Sequence, residues 1–107
     1  MNYLKTRETK ALYKAILSLK KMDECERFLG DLLTPVEIKE FSNRWRVAQM
    51  LDKEISYEEI EQETGMSTTT IARISKWLSG KKGNLGGYQL VLKKMKKNKN
   101  AQHTSLT

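Results

Sequence analysis

The chain has no acidic residue after position 63. Positions 1–63 contain 11 Lys and Arg against 13 Asp and Glu, a net charge of −2, whereas positions 64–107 contain nine Lys and Arg and no acid, a net charge of +9. A long-range field of one sign indicates a polyanionic partner. The change of sign falls at Gly65, inside a segment whose pattern is helix, turn, helix. Double-stranded DNA is therefore the leading candidate for the partner.

Cysteine and long apolar runs are also scarce, and each absence excludes a class of protein. The single Cys (Cys25) rules out an intrachain disulfide and agrees with a reducing cytoplasm. No apolar run near the N-terminus is long enough for a signal peptide or a membrane span. At 107 residues and 12.4 kDa the chain is one domain at most. We therefore expect one cytoplasmic domain without a membrane partner.

The residue types of common active sites are missing as well. The one His (His103) lies in a polar tail, and no second His or Cys is present to complete a zinc site. No Ser or Cys nucleophile has a His base in a structured segment, and the Gly-rich stretch at 80–87 does not follow a strand. We predict no catalytic residue, no metal site and no cofactor, and hence a protein that is not an enzyme.

The apolar residues follow helical spacing throughout the chain. Val, Ile and Thr never alternate over the length of a strand, and the only Pro is Pro35. The predicted fold class is all-α, with about six helices. Their apolar positions are Leu4, Ala11, Leu12, Ala15, Ile16 and Leu19; Cys25, Phe28, Leu29, Leu32 and Leu33; Ile38, Phe41, Trp45, Ala48 and Leu51; Ile60; Ile71, Ile74 and Leu78; and Leu85, Tyr88, Leu92 and Met95.

Capping signals predict where several helices begin. Thr34 and Glu37 have the spacing of a capping box, and Pro35 suits the first helical position. The other predicted N-caps are Asp23, Ser56, Ser67 and Asn84.

The helical domain is expected to end near residue 95. Residues 96–107 (KKNKNAQHTSLT) contain almost no apolar side chain. A segment of this composition cannot bury enough apolar surface to offset its loss of conformational entropy. We predict one domain at 1–95 and a disordered basic tail at 96–107.

Residues 57–78 match the helix-turn-helix pattern, with Gly65 at the turn position that requires a positive φ. Ile60, Met66, Ile71 and Ile74 fall where the two helices must pack on each other. The second helix, at 67–79, carries small side chains that permit close approach to base edges and cations that reach phosphates or guanine. Its predicted DNA contacts are Ser67, Thr68, Thr69, Thr70, Ala72, Arg73 and Lys76.

Two arginines on the preceding helix, Arg44 and Arg46, complete the predicted DNA-binding set. Either can contact a phosphate or a ligand. A solvated helix face is an equally good interpretation of Arg46.

This region resembles the Trp repressor superfamily, and within it the Trp-repressor-related YerC/YecD family. The resemblance runs from about Leu32 to Leu92, through LLTP-E---F--R-R-A--L, the I-S-EE---ETG turn and the T-TIAR helix. It implies a transcriptional regulator, a repressor by type, built as an all-helical intertwined homodimer. The two recognition helices would enter successive major grooves. Glu58 departs from the family, because the repressor has an arginine there that reaches DNA.

The resemblance also implies a tryptophan pocket, which this sequence alters. Arg44 and Arg73 match the two arginines that sandwich the indole of the co-repressor. Thr34 and Thr70 match two threonines of the same site. Trp77 replaces a serine that helps to bind the ligand's amino group, and it lies one helical turn after Arg73, within reach of a cation–π contact. We expect Trp77 either to narrow or fill a vestigial pocket, or only to pack. In both cases the chain does not depend on tryptophan, although an unknown small-molecule effector is possible.

Two other functions stay open at this point. A helical protein-interaction module would dock its basic half on an acidic partner, and its helix-turn-helix would be structural. A DNA-binding subunit of a transposase-like machine would use the same motif for duplex binding. Salt-dependent binding to duplex DNA separates the first of these from a regulator.

Overall fold

The computed structural model describes the backbone of residues 2–80 and 85–105 and the side chains of residues 3–80 and 85–98. Within these ranges the chain forms a short 3-10 helix at Asn2–Leu4, six α-helices and no strand. The helices are α1 (Arg7–Leu17), α2 (Met22–Leu32), α3 (Pro35–Asp52), α4 (Tyr57–Thr64), α5 (Thr68–Leu78) and α6 (Gly87–Ser105). The predicted all-α fold class is confirmed. Asn84, the predicted cap of the last helix, lies outside the described residues.

Contacts divide the chain into two compact units, residues 1–39 and residues 40–107, with the boundary inside α3. The first unit contains α1, α2 and the start of α3. The second contains the rest of α3 and the remaining helices. The buried apolar side chains of the described residues all lie in the second unit: Val47, Ala48, Ile60, Ile71, Ile74 and Leu92.

In the first unit, α1 is shorter than the apolar spacing predicts. Its N-cap is Thr6, whose hydroxyl accepts the Thr9 N–H at 3.0 Å. Leu4, expected within α1, ends the 3-10 helix instead, and its carbonyl accepts the Tyr13 hydroxyl at 3.0 Å. Leu19 lies beyond the last helical residue. Apolar periodicity identified the helix, but the side-chain cap decided where it begins.

The start of α2 corrects the prediction that Asp23 is its N-cap. The cap is Lys21, and Asp23 lies within the first turn. The Glu24 carboxylate accepts the backbone N–H groups of Lys20 at 2.8 Å and Lys21 at 3.1 Å. Because this carboxylate satisfies the first donors of the helix, the helix starts earlier than a cap at Asp23 would allow.

The capping box of α3 is confirmed. The Thr34 hydroxyl accepts the Glu37 N–H at 3.2 Å, and the Glu37 carboxylate accepts the Thr34 N–H at 2.9 Å. Hydrogen bonds to the Glu37 carboxylate, from the Thr34 backbone N–H first and from the Thr34 side chain second, lower the pKa of Glu37 from its ordinary value of 4.5. A lowered pKa means that this interaction stabilises the fold above pH 4.5 and is lost as the pH falls further.

Helix α3 ends in a turn that places a non-glycine residue in the left-handed region. Glu54 has φ 61°. The Glu54 N–H donates to the Leu51 carbonyl at 2.9 Å, and the Ile55 N–H donates to the Met50 carbonyl at 3.1 Å. These two bonds are the Schellman pattern, which favours glycine at the left-handed position. Glu54 therefore holds a conformation that costs roughly 1–2 kcal/mol for a residue with a Cβ.

We expect Glu54→Gly to stabilise the fold, by roughly 0.5–1 kcal/mol, because relief of this strain exceeds the entropy that glycine loses on folding. Urea unfolding at fixed protein concentration measures the change. Glu61→Gly, in the middle of α4, is the matched control and should destabilise by about 1 kcal/mol. A Glu54→Gly protein no more stable than the parent would show that the turn is unstrained.

The second unit confirms the predicted caps around the central motif. The Ser56 hydroxyl accepts the Glu59 N–H at 3.2 Å and starts α4. The Ser67 hydroxyl accepts the Thr70 N–H at 3.2 Å and starts α5. Two hydroxyl caps eleven positions apart thus start the two helices of the motif.

Helix α6 extends past Met95, the last apolar position predicted for it. The helical backbone is described to Ser105, and the disordered basic tail at 96–107 stays a prediction. Lys, Gln and Ala are good helix formers, so a helix already started at Gly87 can propagate into them. Lys96 also forms an ion pair with Asp52 at 2.7 Å. The segment still lacks apolar side chains to pack, so its independence of the fold stays a prediction, as does the single domain at 1–95.

Candidate nucleic-acid interface

The two helices of the motif are held together by a small apolar cluster in the second unit. Ile60 on α4 and Ile71 on α5 are fully buried, and Ile74 is 4% exposed. They form one cluster with Val47 and Ala48 of α3, and Met66 packs against it. Packing of α4 on α5 through these positions is confirmed. Leu78 of α5 also packs against this cluster, whereas Thr68, Thr69, Ala72, Arg73 and Lys76 are exposed.

The turn between α4 and α5 is built by Gly65 and by the side chain before it. Gly65 has φ 73°, and its N–H donates to the Glu61 carbonyl at 2.9 Å. The Thr64 hydroxyl donates to the Ile60 carbonyl at 2.7 Å and accepts the Met66 N–H at 3.2 Å. The positive φ predicted for Gly65 is confirmed, and Thr64 is a turn residue that the sequence analysis missed.

The outward face of α5 carries the predicted DNA contacts. Thr70 is only half-buried, and its hydroxyl lies 3.1 Å from that of Ser67. The other members are exposed: Ser67, Thr68, Thr69, Ala72, Arg73 and Lys76. An exposed row of hydroxyls, one methyl and two cations can approach a base edge and a phosphate together.

The four predicted cationic contacts fall into two classes. Among the described side chains, neither Arg73 nor Lys76 has a carboxylate within ion-pair distance. Arg44 forms an ion pair with Glu40 at 2.9 Å, and Arg46 forms one with Glu63 at 3.0 Å. The charges of the α5 cations are therefore available to an anion, whereas the two α3 arginines are already engaged.

The acids of α4 lie on the solvent side of the same motif. Glu58, Glu59, Glu61 and Glu63 are all exposed. A carboxylate at these positions repels a phosphate, and it accepts a hydrogen bond only from a donor such as the cytosine amino group. The exposed charges of the motif therefore favour an anion over α5 and disfavour one over α4.

Four of the five predicted pocket residues belong to the second unit, and all four line one cavity. The cavity has a volume of about 370 Å³, and Arg44, Thr70, Arg73 and Trp77 lie on its wall. Its other lining residues are Glu40, Met66, Ile74 and Tyr88. Trp77 is 36% exposed and forms part of the cavity wall, and the expectation that it narrows or fills the pocket, or only packs, stays a prediction. Thr34 belongs to the first unit, where it caps α3, and its part in a pocket stays a prediction.

The cavity wall contains an acidic residue, Glu40, in addition to the two predicted arginines. Glu40 lies in the cavity wall and holds the Arg44 guanidinium, which also sits 5.5 Å from the Phe41 ring centroid. Among the described side chains this is the cation–π contact, rather than one between Arg73 and Trp77. Glu40 was missed, although its spacing of four residues from Arg44 on one helix is a recognisable ion-pair signal.

Tyr88, which lines the cavity, stacks on Trp45 of α3. The rings of Trp45 and Tyr88 lie 6.3 Å apart at 22°, and both pack against the apolar cluster. This places Trp45 in the packing role that its helical spacing predicts. Tyr88 thereby connects α6 to the cavity.

The described residues hold no group of three acidic, His or Cys side chains suited to a metal ion. None of the described helices has the length and apolarity to cross a membrane.

A short helix, a left-handed glycine turn and an exposed second helix with free cations define the chain as a helix-turn-helix protein. The profile of the family described as "Trp repressor protein" matches residues 7–96. The chain belongs to the Trp repressor family, whose fold is that of DNA-binding transcription regulators.

Individual relatives agree with this assignment. The uncharacterized protein YerC of Bacillus subtilis (strain 168) is 42% identical over 93 residues, which cover 87% of this chain and 86% of that protein. The crystal structure of a TrpR-like protein from Eubacterium eligens ATCC 27750 superposes with a TM-score of 0.80 at 39% identity, covering 89% and 95% of the two chains. A putative Trp repressor from Staphylococcus aureus gives 0.79 at 36% identity, covering 89% and 92%. The predicted resemblance is confirmed.

Free tryptophan should not bind this chain below the millimolar range. The cavity is large enough for an indole, but Glu40 occupies Arg44 and repels a ligand carboxylate. Trp77 also stands where a hydroxyl acceptor would be needed for the ammonium group. An unsatisfied polar group costs ~1–3 kcal/mol, and here a charge is involved. Calorimetric titration measures the affinity directly.

The double change Glu40→Gln with Trp77→Ser removes both obstacles and should permit weak binding. Glu58→Gln removes an acid outside the cavity and serves as the control. Micromolar binding of tryptophan to the unmodified chain would refute the argument.

Proposed function

We propose that the chain is a sequence-specific DNA-binding transcriptional regulator that acts in the cytoplasm without tryptophan. It binds double-stranded DNA as a homodimer and inserts the helix at 67–79 into the major groove. The observation that carries the proposal is the outward face of α5, where hydroxyls and two unpaired cations are exposed together.

The distribution of charge supports a nucleic acid over a protein partner. Arg73 and Lys76 of α5 are exposed, as are the described lysines of α6 (Lys93, Lys94, Lys96 and Lys97), and no acid follows position 63. A structural surface usually interleaves both signs. Each cation that reaches a phosphate releases counterions, which gives affinity independent of sequence. We expect the small side chains of α5, above all Thr69, to contact base edges and so determine the preferred DNA sequence.

The roles of Arg44 and Arg46 follow from their ion pairs. An exposed ion pair is worth only ~0.2–1 kcal/mol, so a phosphate can compete for either arginine. Both contacts therefore remain part of the proposal, with a smaller expected contribution than those of the α5 cations.

Uncovered apolar faces support the homodimer. No side chain of α1 or α2 is buried in the single chain. Leu17 is 80% exposed, Met22 77% and Val36 75%. Monomeric proteins rarely leave this much apolar surface in contact with water. A second copy of the chain is the partner that the family fold implies.

The test of DNA binding is selection of bound duplexes from a random pool, followed by titration of the selected duplex at several salt concentrations. Arg73→Ala and Lys76→Ala should each weaken binding and reduce the salt slope by roughly 1.8, because each removes one phosphate contact from both protomers of the dimer and a contact contributes ~0.9 to the slope. Thr69→Ala should change the preferred sequence more than the non-specific affinity.

Lys14→Ala removes the same charge from α1 and is the control, which should leave the slope unchanged. Failure of the chain to enrich any duplex would refute the proposal. Binding to an acidic protein in place of DNA would then favour the interaction module.

The homodimer is tested by equilibrium sedimentation, where we expect no folded ~12 kDa monomer at low micromolar concentration, since a core this small is marginal alone. Ile16→Glu places a charge on the apolar face of α1 and should dissociate and unfold the dimer together. Lys14→Glu, on the polar face of that helix, should do neither. A stable folded monomer of the parent chain would contradict the prediction.

A further inference from the structure

The Arg46 side chain reaches across from α3 to the last turn of α4. Its Nη2 lies 3.0 Å from the Glu63 carboxylate, and its Nη1 donates to the Glu63 backbone carbonyl at 3.3 Å. One guanidinium therefore contacts both the side chain and the main chain of a residue 17 positions away. Both helices belong to the second unit, so the contact lies within one compact body.

The residue that it holds is two positions before the turn glycine. Glu63 precedes Thr64, whose hydroxyl bridges the Ile60 carbonyl and the Met66 N–H. Gly65 follows with its left-handed φ, and α5 begins three residues later. Any rotation of the last turn of α4 is therefore transmitted through this turn to the start of α5.

The carbonyl groups at the end of α4 also attract a cation. The last four carbonyls of a helix lack helical partners and carry the negative end of the helix dipole. Arg46 donates to one of these carbonyls while it neutralises the Glu63 carboxylate. A guanidinium can make both contacts because its donors are fixed in a planar fork, which an ammonium lacks.

We infer that Arg46 is a positioning residue, which acts through Glu63 to fix the turn and thereby the angle at which α5 meets DNA. The inference rests on the proposed function, and it replaces a direct phosphate contact as the main role of Arg46. The pair is about half exposed, with 49% and 53% of the two side chains accessible, so its contribution to overall stability is small. We expect the ion pair to affect the orientation of α5, and hence the ability of the protein to discriminate between DNA sequences.

The direction in which Glu63→Ala changes the affinity for DNA separates a positioning role of Arg46 from a phosphate contact. If Arg46 contacts a phosphate, Glu63→Ala frees the guanidinium and removes a repulsive charge, so affinity for DNA rises. If Arg46 positions the turn, Glu63→Ala lowers affinity for the selected duplex despite the lost negative charge. Glu61→Ala, on the same helix and without an ion pair, is the matched control for charge and helix propensity.

We expect Glu63→Ala to reduce the ratio of affinities for the selected and a scrambled duplex by roughly three- to fivefold, with a nearly unchanged thermal midpoint. Glu61→Ala should leave the ratio unchanged. Arg46→Ala should match Glu63→Ala, and the double variant should lose little more than either, because both residues serve one contact. Arg46→Lys should restore the ratio only in part, whereas a phosphate contact would accept lysine fully.

Amide hydrogen exchange without DNA gives a second, independent result. The Gly65 and Met66 amides should exchange faster in Glu63→Ala than in Glu61→Ala, because the turn loses its anchor. Equal exchange in the two variants would overturn the inference, as would higher affinity of Glu63→Ala for the selected duplex. If the parent chain selects no duplex, the proposed function fails, and the exchange experiment alone decides whether Arg46 anchors the turn.

Discussion

The packing of α4 on α5 through Ile60 and Ile71 is the interaction on which the functional surface depends. Both side chains are fully buried, and they meet Val47 and Ala48 of α3 in one cluster. Burial of a side chain of this size contributes roughly 1.5–3 kcal/mol, so these contacts dominate the much weaker surface interactions around them. With one face of α5 fixed in this way, its hydroxyls and cations can only face solvent. The left-handed Gly65 then sets the direction in which they point.

The cations predicted to contact DNA fall into two groups: Arg44 and Arg46 of α3 are ion-paired, and Arg73 and Lys76 of α5 have no acidic partner among the described side chains. The acids of the second unit lie on α3, at its end and on α4, and the α3 arginines pair with two of them. The cations of α5 have no such partner among the described side chains. Because acids are absent after position 63, this division follows from the order of residues along the chain. The same acids that restrict Arg44 and Arg46 also discourage a phosphate from approaching α4.

Sequence reasoning identified the fold class, the six helices and the central motif, because each rests on local signals. Hydroxyl caps at Ser56 and Ser67, the capping box at Thr34, and the turn glycine are read from a few adjacent residues. The boundary errors arose where a distant or unexpected side chain supplied the cap. At α2, the Glu24 carboxylate reaches back to Lys20 and Lys21 and moves the start away from Asp23.

The sequence predicts which residues of α5 are exposed, but it does not predict which acidic residues pair with the arginines of α3. The exposed face of α5 follows from helical periodicity once the buried isoleucines are assigned. The Arg46–Glu63 contact joins residues 17 positions apart, and no local pattern announces it. Glu40 is different, because its spacing from Arg44 is a local signal, yet its place in the cavity wall depends on how α3, α5 and α6 pack.

The cavity beside α5 differs in its charges from the tryptophan pocket that the family resemblance implies. The wall still holds two arginines, but one is neutralised by Glu40 and the other neighbours Trp77. A ligand carboxylate that competes with Glu40 for Arg44 replaces one exposed ion pair with another and is repelled by Glu40, so the net gain is small. A ligand that presents a cation or a hydrogen-bond donor to Glu40, and a flat face to Trp77, avoids this cost. We therefore expect any effector that binds this cavity to be selected by the carboxylate on α3 as much as by the arginine on α5.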